Sequence, residues 1–180
     1  AGAMNPVYLD VPGADLDGVR YGIDFMKVAN LGQELTVGKN VVVIGGGYTA
    51  MDCSRTSLRH GAANVTIAYR RTRSELVVDE EELGETEREG VRMEFLASPI
   101  EVIGEDGKVT GVKFIRNRLG EPDASGRRSP VPIEGSEFEI PLDVAIVAVG
   151  TGPNPLVQST TPDLATNRKG YIEVADPETL

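Results

Sequence analysis

A run of β-branched residues that ends in three glycines constrains the fold of this chain more than any other feature. Residues 40–45 (NVVVIG) are apolar without alternation, which is typical of a strand buried on both faces of a parallel sheet. Residues 48–60 have helix-forming composition and stop at Gly61, and residues 64–69 (NVTIAY) form a second β-branched run. This order predicts a βαβ unit within an α/β fold of the Rossmann type, built on a central parallel sheet.

The turn between the first strand and the helix has a glycine spacing that suits a dinucleotide. Gly45, Gly47 and Ala50 match the pattern G-x-G-x-x-G/A. The first glycine permits a tight turn, the second lets the backbone approach a pyrophosphate, and the small third residue lets the helix pack closely on the strand. The start of the helix would offer free N–H groups and the positive end of its dipole to phosphates. We therefore predict dinucleotide binding, with a purely structural βα turn as the alternative.

The residues after the second strand predict which dinucleotide is bound. An acidic residue about twenty positions after the glycine turn would bond the ribose 2′-hydroxyl of NAD, but the sequence at this point is AYRRTR. Arg70, Arg71 and Arg73 suit a 2′-phosphate, because a guanidinium donates paired hydrogen bonds and keeps its charge. The alternative is that these arginines form ion pairs with the acidic helix expected from Asp79 to Glu89, and both can hold for different arginines.

Charge and cysteine content limit the partners of this chain. A formal net charge of −10 opposes binding to nucleic acid or to an anionic membrane, so a ligand with phosphates needs a local basic site. The single cysteine, Cys53, cannot form an intrachain disulfide or build a cysteine-based metal or iron–sulfur site by itself, and we expect it to pack in the core. No membrane-spanning apolar run and no secretory signal is present in the sequence, which predicts a cytoplasmic protein.

The second half of the chain predicts a small antiparallel β-meander that crosses over from about Pro99 to Ile140. Residues 100–117 alternate around Glu105-Asp106-Gly107, which is a strong hairpin signal. Residues 119–132 are predicted to form a polar loop and residues 136–143 an edge strand, before a last buried strand (VAIVAVG).

Two further arginines, Arg127 and Arg128, fall within this predicted loop. Solvent is their expected environment. Contact with the cofactor or with a partner domain is the alternative.

Several segments together resemble the NADPH-binding domain of the glutamate synthase small (beta) subunit. In chain order they are GGGYTAMD, YRRTRSEL, EGVRMEF, GKVTGVKFIRN, GEPDASGRRSPVPIEGSEFEIPLDVAIVAVG and GPNP. The same module occurs in the related part of dihydropyrimidine dehydrogenase and in subunits of ferredoxin:NADP oxidoreductases. The resemblance covers nearly the whole chain, and GRRSPVPIEGSEF is far more specific than the glycine turn.

The resemblance implies a module inserted in a larger flavoprotein. In that family an FAD domain is interrupted by an NADPH domain, and hydride passes from the nicotinamide to the flavin. Residues 1–37 would form a linker arm with one helix, at the junction to the FAD domain. Residues 38–155 would form the Rossmann-like NADPH-binding domain, and residues 156–180 would lead back to the FAD domain. FAD would be bound by the parent protein and not by this chain, which alone should bind NADPH without turnover.

The resemblance also implies roles for individual residues. Gly150 would begin a second glycine motif near the cofactor, completed by Pro153 and Asn154. Glutamate synthase-type sequences usually have Asp or Asn where this chain has Tyr48, whereas the wider disulfide reductase group often has Tyr, whose ring covers the nicotinamide pocket; Asp52 would then lie near the carboxamide. No catalytic or metal-binding residue is implied. The implied cofactor-binding set is Gly45, Gly46, Gly47, Tyr48, Thr49, Ala50, Asp52, Arg70, Arg71, Arg73, Gly150 and Thr151.

Three functions are compatible with these patterns. The first is an NADPH module of a glutamate synthase small-subunit-like flavoprotein, whose partners would be the FAD domain, an iron–sulfur domain and the large subunit. The second is the same module in a ferredoxin:NADP or other FAD-dependent oxidoreductase, and the third is a non-catalytic dinucleotide sensor or interaction domain. A single-domain short-chain dehydrogenase is disfavoured because no Tyr-x-x-x-Lys spacing occurs in the sequence.

Overall fold

The βαβ unit predicted around the glycine turn lies at the centre of the structure. The computed structural model describes residues 3–122 and 126–174; residues 1–2, 123–125 and 175–180, which belong to the expected arm, loop and C-terminal segment, lie outside the described part. A 3₁₀ turn at Arg73–Glu75 lies between the strand Asn64–Tyr69 and the helix Glu80–Arg88. The elements are β1 (Asn5–Pro6), β2 (Val19–Tyr21), α1 (Gly22–Asn30), β3 (Asn40–Gly45), α2 (Tyr48–Arg59), β4 (Asn64–Tyr69), α3 (Glu80–Arg88), β5 (Arg92–Phe95), β6 (Ala97–Glu105), β7 (Lys108–Pro122), β8 (Arg128–Pro141), β9 (Val144–Ala148), β10 (Thr151–Gly152) and α4 (Pro155–Thr160).

Five strands form a parallel sheet in the order β2-β9-β3-β4-β5. Strand β3 lies in the middle and is buried on both faces, which explains its uninterrupted apolar sequence. Val41 and Val43 pack on the helical side of the sheet, whereas Val42 and Ile44 pack on the opposite side. The prediction of a Rossmann-type α/β fold with a central parallel sheet is confirmed.

Helices α1, α2 and α3 cover one face of the sheet. Phe25, Met51 and Leu83, one from each helix, belong to the same buried cluster as the inward side chains of β3 and β4. Cys53 is fully buried in this cluster, which confirms its predicted place in the core. Because burial disfavours the thiolate, the pKa of Cys53 rises to about 12.

The other face of the parallel sheet is covered by an antiparallel sheet in the order β6-β7-β8. Phe114 and Val112 of β7 are fully buried against the parallel sheet. Strands β6 and β7 are joined by Asp106 and Gly107, which have φ angles of 50° and 78°. Two consecutive positive φ angles are typical of a type I′ hairpin turn, so the predicted hairpin is confirmed.

The predicted polar loop at residues 119–132 is wrong over most of its length. Strand β7 continues to Pro122 and β8 begins at Arg128, with pairs such as Leu119↔Pro130 and Pro122↔Arg128. The prolines misled the sequence interpretation, since proline normally argues against a strand. Strand β8 lies at the edge of its sheet, where alternate N–H groups face away from the neighbouring strand, and an edge strand therefore tolerates prolines at positions 130 and 132.

The N-terminal region contributes more to the sheet than its sequence predicted. The predicted helix is present as α1, but the short strand β2 before it also pairs in parallel with β9 at the edge of the sheet. Strand β1 pairs with β10 in a small antiparallel ribbon. Among the described residues, no helix is both long and apolar enough to cross a membrane.

Candidate functional site

A cavity of about 800 Å³ opens at the carboxyl ends of the parallel strands. Its wall includes Gly45 at the end of β3, Tyr69 at the end of β4 and Ala148 at the end of β9. In open parallel sheets, ligands bind outside the carboxyl ends of the strands, and pockets of about 300–1,000 Å³ accommodate small molecules. The position and size of this cavity therefore suit a dinucleotide.

The three glycines of the turn meet different surroundings. A Cβ on Gly45 would lie 2.3 Å from the carbonyl oxygen of Ala148, and a Cβ on Gly46 would lie 2.3 Å from Cδ2 of Tyr69. A Cβ on Gly47 would have as its nearest neighbour a methyl of Val77 at 3.8 Å, an ordinary contact. Packing within the protein therefore requires the first two glycines. Gly47 leaves its backbone bare beside the cavity, as a closely approaching ligand would require.

Helix α2 begins at the cavity wall. Gly47 is its N-cap and supplies no side-chain hydrogen bond to the first turn, and Tyr48 and Thr49 line the cavity. The first N–H groups of a helix need an acceptor, and together with the helix dipole they favour an anion. Ala50 is fully buried and does not line the cavity, which agrees with its predicted packing role.

Tyr48 is half-exposed at the cavity edge and is tied to helix α3. Its hydroxyl donates a hydrogen bond to Asp79 Oδ2 at 3.0 Å, which raises the pKa of Tyr48. Asp79 is also the N-cap of α3: its Oδ1 accepts from the N–H of Glu82 at 2.8 Å, and this bond, with that from Tyr48, lowers the pKa of Asp79. Asp52, one turn further along α2, is exposed and does not line the cavity.

The three arginines after β4 separate into two groups. Arg70 and Arg71 line the cavity, and Arg71 is only 7% exposed, with its Nε donating to the carbonyl oxygen of Arg128 at 2.7 Å. Arg73 instead pairs with two carboxylates of α3, Glu80 at 3.0 Å and Glu87 at 2.8 Å, and does not line the cavity. The ion pairing left open as the alternative thus occurs at Arg73.

Arg127 and Arg128 were expected in solvent, with contact with the cofactor as the alternative, and Arg127 is exposed, as expected. Arg127 lines the cavity. Arg128 was expected on a solvated loop but is half-buried, and it forms an ion pair with Glu75, whose Oε1 accepts from its Nε at 3.0 Å. Hydrogen bonds from Thr72, together with Arg128, lower the pKa of Glu75. The two consecutive arginines were the only sign in the sequence of a basic site here. The pairing of this segment with β7 is what brings Arg127 to the cavity.

Partial burial and the positive charges of Arg71 and Arg127 lower the pKa of Arg70. The charges of Arg71 and Arg127 therefore both act on Arg70. An anion beside Arg70 would favour its charged form.

The second glycine motif follows β9, which flanks β3 on the side opposite to β4 and its arginines. Gly150 and Thr151 line the cavity, and the φ of Gly150 is 132°. The carbonyl of Gly150 accepts from the N–H of Val7 at 3.0 Å, which joins the N-terminal arm to this loop. Asn154 does not reach the cavity; its Oδ1 accepts from the N–H of Leu156 at 3.0 Å and caps α4.

Comparison with known proteins gives these features a family context. A family model described as pyridine nucleotide-disulphide oxidoreductase matches residues 1–178. The chain is 40% identical over 176 residues to the glutamate synthase (NADPH) small chain of Halomonas elongata, covering 92% of this chain and 37% of that protein. It is 49% identical over 134 residues to the NADPH-Fe(3+) oxidoreductase subunit beta of Geobacter sulfurreducens, covering 74% and 20%. The resemblance to the glutamate synthase small subunit is confirmed.

Solved structures share the fold at lower identity. The structure of Mycobacterium tuberculosis FprA in complex with NADPH matches with a TM-score of 0.72 and 22% identity, over 93% of this chain and 51% of that chain. Thioredoxin reductase from T. acidophilum matches with a TM-score of 0.68 and 22% identity, over 93% and 48%. This chain thus spans about half of these two structures and between 20% and 37% of the two sequence relatives.

Proposed function

This chain belongs to the pyridine nucleotide-disulphide oxidoreductase family, and from that premise we propose that it binds NADPH in the cavity at the strand ends and positions it for oxidation by FAD of another domain. One observation carries the proposal: a single cavity contains both an uncapped helix start beside a bare glycine turn and two arginines from the end of the next strand. The first is suited to a pyrophosphate and the second to a 2′-phosphate.

The chain's own residues would bind and orient the cofactor. The first turn of α2, from Gly47 to Thr49, would donate N–H groups to the pyrophosphate. Arg70 and Arg71 would bind the 2′-phosphate, and the hydrogen bond from Arg71 to a main-chain carbonyl holds one edge of its guanidinium in place. When bound, NADPH supplies a hydride and the flavin accepts it. The protein therefore contributes position and electrostatics.

Tyr48 and Gly150 would border the nicotinamide end of the site. Gly150 follows β9, which β3 separates from the arginines' strand β4. Tyr48 lines the same cavity, and its hydrogen bond to Asp79 fixes the tyrosine ring at the edge. Gly150 has no side chain to obstruct a planar ring, and its φ of 132° disfavours replacement by other residues.

We further propose that the parent protein is a flavoprotein of the glutamate synthase small-chain type, in which electrons continue toward glutamate synthesis through an iron–sulfur domain and a large subunit. The match over 92% of this chain to such a small chain supports this assignment. A second candidate, a parent that delivers electrons to a different acceptor, is supported by the 49% identity to an NADPH-Fe(3+) oxidoreductase subunit. Both candidates share the step from NADPH to FAD.

A calorimetric titration of this chain with NADPH and with NADH, each at two salt concentrations, tests the proposal. NADPH should bind at least about tenfold tighter, which corresponds to about 1.4 kcal/mol, and higher salt should narrow the gap. Arg70→Ala and Arg71→Ala should each reduce this preference. Arg73→Ala is the matched control, since it removes the same charge from the same segment but from a side chain paired with α3.

Two results would contradict the proposal. Equal affinity for NADH and NADPH would show that the arginines do not recognise a 2′-phosphate. If neither dinucleotide binds, the proposed dinucleotide site is wrong. In the full-length parent, NADPH should bleach the flavin absorbance. A parent that binds NADPH without flavin reduction would instead be a sensor.

A further inference from the structure

Arg127 lies in the wall of the cavity although it comes from the antiparallel sheet and not from the βαβ unit. It immediately precedes β8, whereas Arg70 and Arg71 follow β4. The antiparallel sheet therefore does more than cover one face of the parallel sheet: its β8 end reaches the site.

The backbone next to Arg127 is anchored by contacts of Arg128. The carbonyl of Arg128 accepts a hydrogen bond from Arg71 Nε at 2.7 Å. The guanidinium of Arg128 forms an ion pair with Glu75. Glu75 is itself held by the capping box with Thr72 in the 3₁₀ turn after β4. Both the backbone and the side chain of Arg128 are thus attached to the segment that carries Arg70 and Arg71.

The charge of the wall favours an anion with more than one negative charge. Among the described residues that line the cavity, the charged ones are Arg70, Arg71 and Arg127, and no carboxylate is present. Three guanidinium groups gather here in a chain whose formal net charge is −10. A dianionic phosphate can accept several charge-assisted hydrogen bonds from guanidinium groups.

We propose that Arg127 is a third arginine of the 2′-phosphate site and a specificity-determining residue for NADPH over NADH. This inference rests on the proposed function and extends it to the antiparallel sheet. Arg127 belongs to the 2′-phosphate end because its neighbour contacts Arg71, at the end of β4, and not the first turn of α2. The insertion between β5 and β9 then serves recognition of the cofactor as well as packing.

The test is a titration of the Arg127→Ala chain with NADPH, NADH and the fragment 2′,5′-ADP. Affinity for NADPH and for 2′,5′-ADP should fall by about tenfold or more, because a charge-assisted hydrogen bond is lost, and NADH affinity should stay within about twofold of the unaltered chain. Arg127→Lys should recover part of the loss. NADPH binding should also depend less on salt concentration, because one interaction between charged groups is lost.

Arg118→Ala is the matched control, because Arg118 is exposed on β7 of the same sheet and does not line the cavity. If the unaltered chain prefers NADPH and Arg127→Ala retains that preference, this inference is wrong while the proposed function stands. If Arg127→Ala weakens NADPH and NADH equally, Arg127 contacts a part common to both and the assignment to the 2′-phosphate is wrong. If the unaltered chain binds neither dinucleotide, the proposed function and this inference both fail.

Discussion

The ring of Tyr69 packs directly on the backbone of Gly46, so closely that a Cβ on Gly46 would lie 2.3 Å from Cδ2 and 2.5 Å from Cε2 of the ring. The ring is held there because Tyr69 is buried and its hydroxyl donates to the carbonyl of Glu75 at 2.8 Å. The middle glycine of the turn is therefore part of the packing between β3 and β4. Gly46 is thus required by packing, whereas its neighbour Gly47 is not.

Gly46→Ala should destabilise the fold. The added methyl group has no space unless the Tyr69 ring moves, and overpacking of this kind costs about 1–3 kcal/mol. Chemical denaturation should show a lower free energy of unfolding with an unchanged denaturant slope.

Gly47→Ala should affect cofactor binding more than stability. Its φ of −109° suits any residue and its Cβ would meet only Val77 at 3.8 Å, so the added methyl group causes no overpacking. The free energy of unfolding should fall less than in Gly46→Ala, because the only cost is that alanine is a poorer N-cap than glycine. NADPH affinity should nevertheless fall, because the methyl group would lie where the pyrophosphate approaches. Equal stability losses in the two variants would contradict this division of roles.

Asp79→Ala should lower the thermal unfolding midpoint more than Tyr48→Phe does. The first change removes the N-cap of α3 together with the bond to Tyr48, and the second removes only that bond. Asp79→Asn should recover most of the midpoint, since asparagine is an equally good N-cap. If Tyr48→Phe alone reproduces the full loss, the cap contributes nothing and the expectation is wrong.

Glu75 should make stability depend on pH in the acidic range. Its pKa is lowered in the folded state by Thr72 first and then by Arg128, so the ionised carboxylate stabilises the fold fully above the ordinary glutamate pKa of about 4.3. This stabilisation is lost as the pH falls through the lowered folded-state pKa. The Glu75→Gln variant should therefore be less stable than the unaltered chain at neutral pH, and the gap should close in acid. A gap that is constant over this range would argue against the ion pair.

Cys53 should be unreactive in the folded chain. Its thiol is fully buried and its pKa is about 12, so its thiolate population at mildly alkaline pH is about three orders of magnitude below that of a free cysteine. A chromogenic disulfide reagent should label it only after denaturant is added, with the unfolded chain as the internal control. Rapid labelling of the folded chain would show that α2 opens readily.

Local sequence patterns were sufficient for the parts of the fold made by local contacts. The strand, glycine turn and helix from Asn40 to Arg59 and the hairpin at Asp106-Gly107 were predicted correctly, because each is determined by periodicity and φ preference within a few residues. Strand β2 and the ends of β7 and β8 were not predicted. Their stability comes from partners distant in sequence, such as Val19↔Ala145 and Leu119↔Pro130, and no local pattern records those pairs.

For the site, the sequence by itself determined the chemistry that is present: a bare glycine turn before a helix and a cluster of arginines after the next strand. Only the tertiary structure decided which arginines lie at the cavity. Arg71 and Arg73 are two positions apart, yet one bonds the main chain of Arg128 and the other pairs with Glu87 of α3. An arginine side chain is long and flexible, so its partner is whichever group the packing of other elements brings within reach.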